Sequence, residues 1–311
     1  MKKNLQKVLV LALGLTTTIA SAQWSAESRT RVEQDSDNAT DNRINVSATW
    51  GGIHASYDVN YDFDGDATHD VYEAYVSTDL MGMATLTVGR QDLSFGSGAL
   101  MSSNSWGMER YTNDGFSLSA NYGGIDLNAG TLDGRNRDNR YINAGGEFGG
   151  ATFNVLMMSD GGNDAHGYDI GYSLMGGDLG LSYSMNSDYD GDEMTAMGAT
   201  YSMGDLGVSY TRTDYDGAFN MNNTAMSGGW TNGVLGYQDA GDEVTSMGLS
   251  YNVMGIDLGY TMHSITDADG NDTDASAISL GYSLNDNASI GVLRIDDNGT
   301  ETNWITLTIR P

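Results

Sequence analysis

Arginine is the residue type whose placement points to chemistry. Eight of the eleven arginines precede residue 141: Arg29, Arg31, Arg43, Arg90, Arg110, Arg135, Arg137 and Arg140. Arg29 and Arg31 alternate on one face with Glu27 and Glu33, opposite Trp24, Ala26 and Val32. In a strand that face is shared, so both guanidinium groups are expected to point inward. Arg310, near the C-terminus, is expected to close beside them on the same face. Arg90 and Arg110 flank the segment 91–114, which also carries Gln91, Asp92 and Glu109. A cationic wall facing such carboxylates would set up a transverse field that sorts passing solutes by charge. Arg29, Arg31, Arg90, Gln91, Asp92, Glu109, Arg110 and Arg310 are therefore the candidate selectivity residues.

A second set is acidic. Asp62, Asp64 and Asp66, then Asp188, Asp190 and Asp192, then Asp267 and Asp269 with Asn271, place oxygen ligands at alternate positions. Such spacing can ring a calcium ion weakly. None completes a twelve-residue loop with a terminal Glu, and solvated acidic loops have the same composition. Calcium is the one cofactor these loops suggest, and no other is expected. Catalysis has little support. His54, His69, His166 and His263 are scattered, cysteine is absent, and no nucleophile-elbow or zinc-helix motif occurs.

The elements that must hold these residues are strands. From Tyr168 to Met185 the apolar set Tyr168, Ile170, Tyr172 and Leu174 alternates with Asp169, Gly171 and Ser173. After Gly176-Gly177, Leu179, Leu181, Tyr183 and Met185 alternate with Gly180, Ser182 and Ser184. Period-two alternation about a Gly-rich centre predicts a hairpin. Variants recur about every 25–30 residues, one hairpin per unit. One example is the run GDEMTAMGATY ending at Tyr201, which returns as GDEVTSMGLSY ending at Tyr251. Connections alternate between short neutral turns and longer acidic loops. Residues 1–22 have a basic start, an apolar run from Val8 to Leu15 and Ala20-Ser21-Ala22, so they are expected to be a secretory signal peptide. All three lysines lie there, and the remaining chain sets eleven arginines against 42 acidic residues, a net charge of −31. That charge argues against nucleic acid as a partner.

A soluble sandwich would alternate too, but its solvent face usually carries Lys and Glu. Here the second face is Gly, Ser, Thr and Asn, which suits the wall of a confined aqueous lumen, and aromatic residues sit near the arm ends (Trp50, Tyr122, Tyr201, Trp230, Tyr251). The expected fold is all-β: a closed antiparallel up-and-down transmembrane barrel over 23–311, with short turns at one end and acidic loops at the other. Twenty arms can be counted. Two of them, near 224–230 and 233–239, are short and Gly-broken; dropping that hairpin leaves eighteen strands, within a range of about 16–20.

The segment 91–114 is the longest loop and the apolar one, with Leu93, Phe95, Leu100, Met101 and Trp106. Signal peptide, hairpin repeats, acidic outer loops and an enlarged third outer loop together resemble Gram-negative outer-membrane porins. The stretch from Val88 to Gly96, with Ser105-Trp106 after it, is similar to the alginate-export type of porin. The chain departs from the pattern at its end, Arg310-Pro311, where such barrels carry an aromatic residue. The resemblance implies that residues 91–114 fold inward and narrow a water-filled lumen, and that small hydrophilic solutes or ions diffuse passively through it. Expected partners are outer-membrane lipid and lipopolysaccharide, which Arg135, Arg137 and Arg140 could touch, and further copies of the chain in a homotrimer. A non-conducting structural or adhesive barrel is the alternative.

Overall fold

The computed structural model describes residues 23–34, 40–62, 65–103, 110–132, 139–221 and 235–309, with backbone alone at 31–34 and 40. The expected signal peptide lies outside this set. Eighteen strands follow one another: β1 (Gln23–Gln34), β2 (Thr40–Trp50), β3 (Ile53–Asp62), β4 (Ala67–Leu80), β5 (Ala84–Gln91), β6 (Asn113–Tyr122), β7 (Ile125–Thr131), β8 (Arg140–Phe148), β9 (Ala151–Asp160), β10 (Asn163–Leu174), β11 (Leu179–Ser187), β12 (Glu193–Met203), β13 (Leu206–Asp216), β14 (Glu243–Val253), β15 (Ile256–Thr266), β16 (Asp272–Asn285), β17 (Ala288–Asp297) and β18 (Thr300–Ile309). Each pairs antiparallel with the next, and β1 pairs with β18 from Ala26↔Ile309 to Gln34↔Glu301. The sheet therefore has no free edge, which is what a hydrocarbon environment demands of backbone N–H and C=O groups.

Alternation decides the two faces. Every strand presents at least one large apolar residue outward, from Trp24 on β1 through Ile170 on β10 to Ile305 on β18. The inward set is small: Gly171 on β10, Ser182 on β11, Ser246 on β14 and Ser279 on β16 face one cavity. The turns at one end are tight. Gly123 and Gly124, both at positive φ (63° and 87°), close β6 onto β7, the backbone that a two-residue turn needs to match strand twist.

Among the described residues no strand lies between β13 and β14, and the first of the two Gly-broken arms, 224–230, lies outside those residues. β13 pairs directly with β14, from Leu206↔Tyr251 to Asp214↔Glu243, and the described parts of the connection, 217–221 and 235–242, lie at the end where the acidic loops lie. Two expected loops shrink instead: β9 and β10 are separated by residues 161–162, and β17 and β18 by residues 298–299.

A third difference matters more. At the outer-loop ends of the strands the inward face is not small. Tyr141 (β8), Leu156 and Met158 (β9), Met194 (β12), Tyr215 (β13) and Val244 (β14) form a buried apolar cluster. Loop residues complete it: Ala99, Leu100 and Met101 from 92–112, and Phe219, Met221 and Leu235 from 217–242. Burying a Leu, Met or Phe is worth about 2 kcal/mol. Fixing one backbone residue costs about 1–2 kcal/mol. The cluster thus contributes enough to hold several loop residues inside the barrel.

Candidate functional site

The long loop is fastened at its base to the wall of β1–β4. Arg110 Nε donates to Asp58 Oδ2 at 3.0 Å, and Nη2 donates to Asp58 Oδ1. Asn45 Nδ2 donates to the same Oδ1 at 2.7 Å and to Ser56 Oγ at 2.7 Å. The guanidinium lies over the Tyr72 ring, with Cζ 3.2 Å from its centre. Tyr72 Oη donates to Asp92 Oδ2 at 2.6 Å, and the Asp92 amide donates to Glu73 Oε1 at 3.3 Å. Glu73 Oε2 lies 3.1 Å from His54 Nε2, and the imidazole stacks on Tyr75.

Local sequence explains half of this wall. With Gly51-Gly52 as the turn, Asn45 must stand opposite Asp58. With β1 and β2 paired, Arg29 stands opposite Arg43. Glu27 Oε1 sits between the two like charges, accepting from Arg43 Nη2 at 2.7 Å and lying 3.8 Å from Arg29 Nη2. Tyr72 is different. The register passes from Ser56↔Glu73 to Tyr57↔Val71, so Tyr72 is an extra residue in β4. A bulge of this kind lets two successive side chains turn the same way, and Tyr72 and Glu73 both reach the loop base.

Among the expected selectivity residues, Arg29, Asp92 and Arg110 are brought into this one wall network. Gln91 faces inward nearby and accepts from Ser117 Oγ at 2.6 Å. Arg90 does not join them. It shares the outward face with Val88 and grips Asp114 with both ends of its guanidinium, at 2.7 and 2.8 Å. Its expected place in the constriction is corrected by parity: Gly89 and Gln91 take the inward positions. The Arg31 side chain, Glu109 and Arg310 lie outside the described residues. Arg43, Glu27, Asp58 and Glu73 belong to the network and were not expected there; the hairpin registers carried the signal for the first three.

Burial decides what the network can do. Arg43 is 1% exposed, and the side chains of Arg110 and Asp58 are 8% and 7% exposed. Such groups are locked in ion pairs and hold structure; removing one partner would strand a buried charge.

The tip of the loop reaches the opposite wall. The Ser97 amide donates to Asp169 Oδ2 on β10 at 3.1 Å, and Ser184 Oγ on β11 donates to Ser97 Oγ at 3.3 Å. Below the tip lies a cavity of about 1060 Å³ lined by Ser182, Ser209, Thr211, Ser246, Thr261 and Ser279, with Asp169 and Asp257 as its acidic groups and no arginine among the described residues of its wall.

The acidic runs serve as turns. Asp62 Oδ1 accepts from the amides of Gly65 and Asp66, Asp188 Oδ1 from Asp190 and Asp192, and Asp267 Oδ1 from Asp269 and Asn271. The same motif, Asp-x-Asp-Gly-Asp/Asn, thus closes three loops by a side-chain cap on its own backbone. Asp188 goes further, accepting the Asn220 amide on Oδ2 at 2.8 Å and tying residues 217–242 to its neighbour loop. Among the described residues no three His, Asp or Glu side chains converge as metal ligands would. Asp64 lies outside those residues.

The comparisons agree with the architecture. The family model described as Gram-negative porin matches residues 10–293. No curated protein matches the chain. Similar solved structures include Pseudomonas aeruginosa OccK2 (OpdF) in complex with glucuronate, at 14% identity and a TM-score of 0.69, covering 93% of this chain and 95% of that one. Acinetobacter baumannii OccAB2 is 12% identical with a TM-score of 0.68, covering 94% and 98%. Pseudomonas aeruginosa OprD is 12% identical with a TM-score of 0.63, covering 94% and 94%. At these identities the likeness is one of fold. An eighteen-stranded barrel without edges, apolar outside, hydroxyl-lined inside and crossed by one long loop, matched by this family over nearly its whole length, places the chain in the Gram-negative porin family, whose members are outer-membrane channels for passive diffusion.

Proposed function

We propose that solutes cross along the hydroxyl-lined arc of the lumen, β9 to β18, and that the channel favours cations and neutral hydrophilic solutes over anions. The observation that carries this is the cavity wall, where Asp169 and Asp257 stand among Ser, Thr and Gly and no arginine is present among the described residues. The acidic outer loops add to the same field. Diffusion through such a wall needs no catalytic step. Of the arginines expected in the selectivity wall, Arg110 is paired with Asp58 and Arg29 lies 3.8 Å from Glu27. OccK2 has been solved with glucuronate, an anion. The competing reading is therefore an acidic solute passing Arg29. The resemblance to alginate-export porins does not favour it, since Arg90 faces outward.

Reversal potentials in a potassium chloride gradient across a planar bilayer test the proposal. Cation preference, weakened in Asp257→Asn, is the expected result. Anion preference would reject it and support the Arg29 path.

Outward Arg90, Arg140, Arg212 and Arg294 lie towards the outer ends of β5, β8, β13 and β17. The outward residues beneath them are Val88, Ile142, Tyr210 and Val292, all exposed. Lipopolysaccharide phosphates are the partner we propose for Arg140, because guanidinium groups bind phosphate bidentately; Arg90 is paired with Asp114, Arg212 with Asp214 and Glu243, and Arg294 with Glu301. The large apolar residues on all eighteen strands give the barrel an outer surface suited to lipid all round.

A further inference from the structure

We infer that Asp169 is the positioning residue of the constriction: its carboxylate holds the tip of the 92–112 loop against the far wall and so sets the bore. This goes beyond the charge preference proposed above and does not depend on it.

The tip is shaped for this contact. Gly96 has φ +59°, and a Cβ built there would lie 2.0 Å from Asp169 Oδ2 and 2.5 Å from Asn154 Nδ2. Its neighbour Ser97 gives its amide to that oxygen, and its hydroxyl accepts from Ser184. Asn154 Nδ2 adds a longer contact to Oδ2 at 3.4 Å, and Asn154 Oδ1 is itself held by Asn143 Nδ2 at 2.7 Å. Leu100 packs where β10 has Gly167; a Cβ there would lie 2.8 Å from Leu100 Cδ1. Loop and wall are complementary over several residues.

The two ends of the loop are fastened unequally. The base has a buried ion pair and an aromatic stack. The tip's polar contacts with β9–β11 are one amide, one hydroxyl and one distant carboxamide, beside the apolar packing of Ala99, Leu100 and Met101 and the Tyr237 hydroxyl on the Ala99 carbonyl. Asp169 Oδ1 is buried and has no hydrogen-bond partner. An unsatisfied buried oxygen is unfavourable, and releasing the tip would let water reach it. The tip's polar contacts are thus the weaker set, and the tip is the end that detaches. Gly96 and Ser97 also form part of the cavity wall, so detachment widens the path.

The chain has no cysteine, which makes a cross-link test clean. Ser97→Cys/Ser184→Cys joins positions whose Oγ atoms are 3.3 Å apart. Single-channel currents would be recorded for this variant after diamide oxidation and after reduction, and for Asp169→Ala and Asp169→Asn. Losing a charge-assisted hydrogen bond should shift the docked-to-released ratio of the tip by about tenfold or more. Asp169→Ala should show larger or more frequent high-conductance events, with Asp169→Asn between it and the parent. Oxidation of the double cysteine should abolish those events, also in the Asp169→Ala background. If Asp169→Ala does not fold, the double-cysteine protein with Asp169 intact decides alone. Failure of the disulfide to form in the folded barrel, or identical traces before and after reduction, would overturn the assignment. So would parental currents from Asp169→Ala.

Discussion

Arg110 and Asp58 are 52 residues apart in sequence and form a two-pronged ion pair inside the barrel, with the guanidinium stacked on Tyr72. The pair joins the end of the constriction loop to the wall of β3. Asp58→Ala would leave a buried arginine uncompensated, a loss of about 3–5 kcal/mol. Thermal unfolding should show a lowered midpoint, and protease should cut the 92–112 loop faster. An unchanged midpoint with an uncut loop would mean that the base is held by other contacts.

The Tyr72 hydroxyl gives a finer probe of the same base. Tyr72→Phe keeps the ring under Arg110 and removes the bond to Asp92. Hydrogen bonds to charged groups contribute about 1.5–3 kcal/mol, so the variant should be destabilised less than Asp58→Ala. Equal or greater destabilisation would place the main contribution of Tyr72 at its hydroxyl.

Arg90→Ala should leave ion selectivity and conductance as they are, because the side chain is outward and paired with Asp114. A shift in reversal potential would show that its charge reaches the lumen.

Leu100→Ala removes a side chain buried in the apolar cluster between the two inward loops. Large-to-small changes of this kind cost about 2–5 kcal/mol. Most of it should appear as loosening of the loops, visible as raised amide exchange in 97–101, with the strands of the barrel still protected.

The three Asp-capped turns should keep their conformation without calcium. Chelator should leave the thermal midpoint and the amide shifts of Asp269 and Asn271 unchanged; a calcium-dependent midpoint would support calcium binding at these turns instead. In the third turn Asn271, through its side chain and then its backbone amide, holds the Asp267 carboxyl below the usual carboxylate range. A depressed folded-state value means the cap's contribution is complete above the unfolded carboxylate pKa and is lost as pH falls through the folded value. Acid titration should therefore shift the Asp269 and Asn271 amides only below the ordinary Asp range. A midpoint at or above that range would contradict the cap.

Period-two alternation, the Gly-rich turns and the small second face were enough to specify strands, their outward residues and closure, because each is a local property of a strand in lipid. The strand number followed from two arms too rich in glycine to fill a face. Register about Gly51-Gly52 would even have paired Asn45 with Asp58. What tertiary structure alone decided is where the loops go and what they meet. Tyr72 turns inward through a bulge that no periodicity marks, and Arg90 falls outside by the parity of a single position. Asp169, one alternating residue among many, becomes the seat of the loop tip because chain folded across the lumen arrives there. The bonds of Ser97 to Asp169 and Ser184 join residues 72 and 87 apart, and local pattern carries no information at that separation.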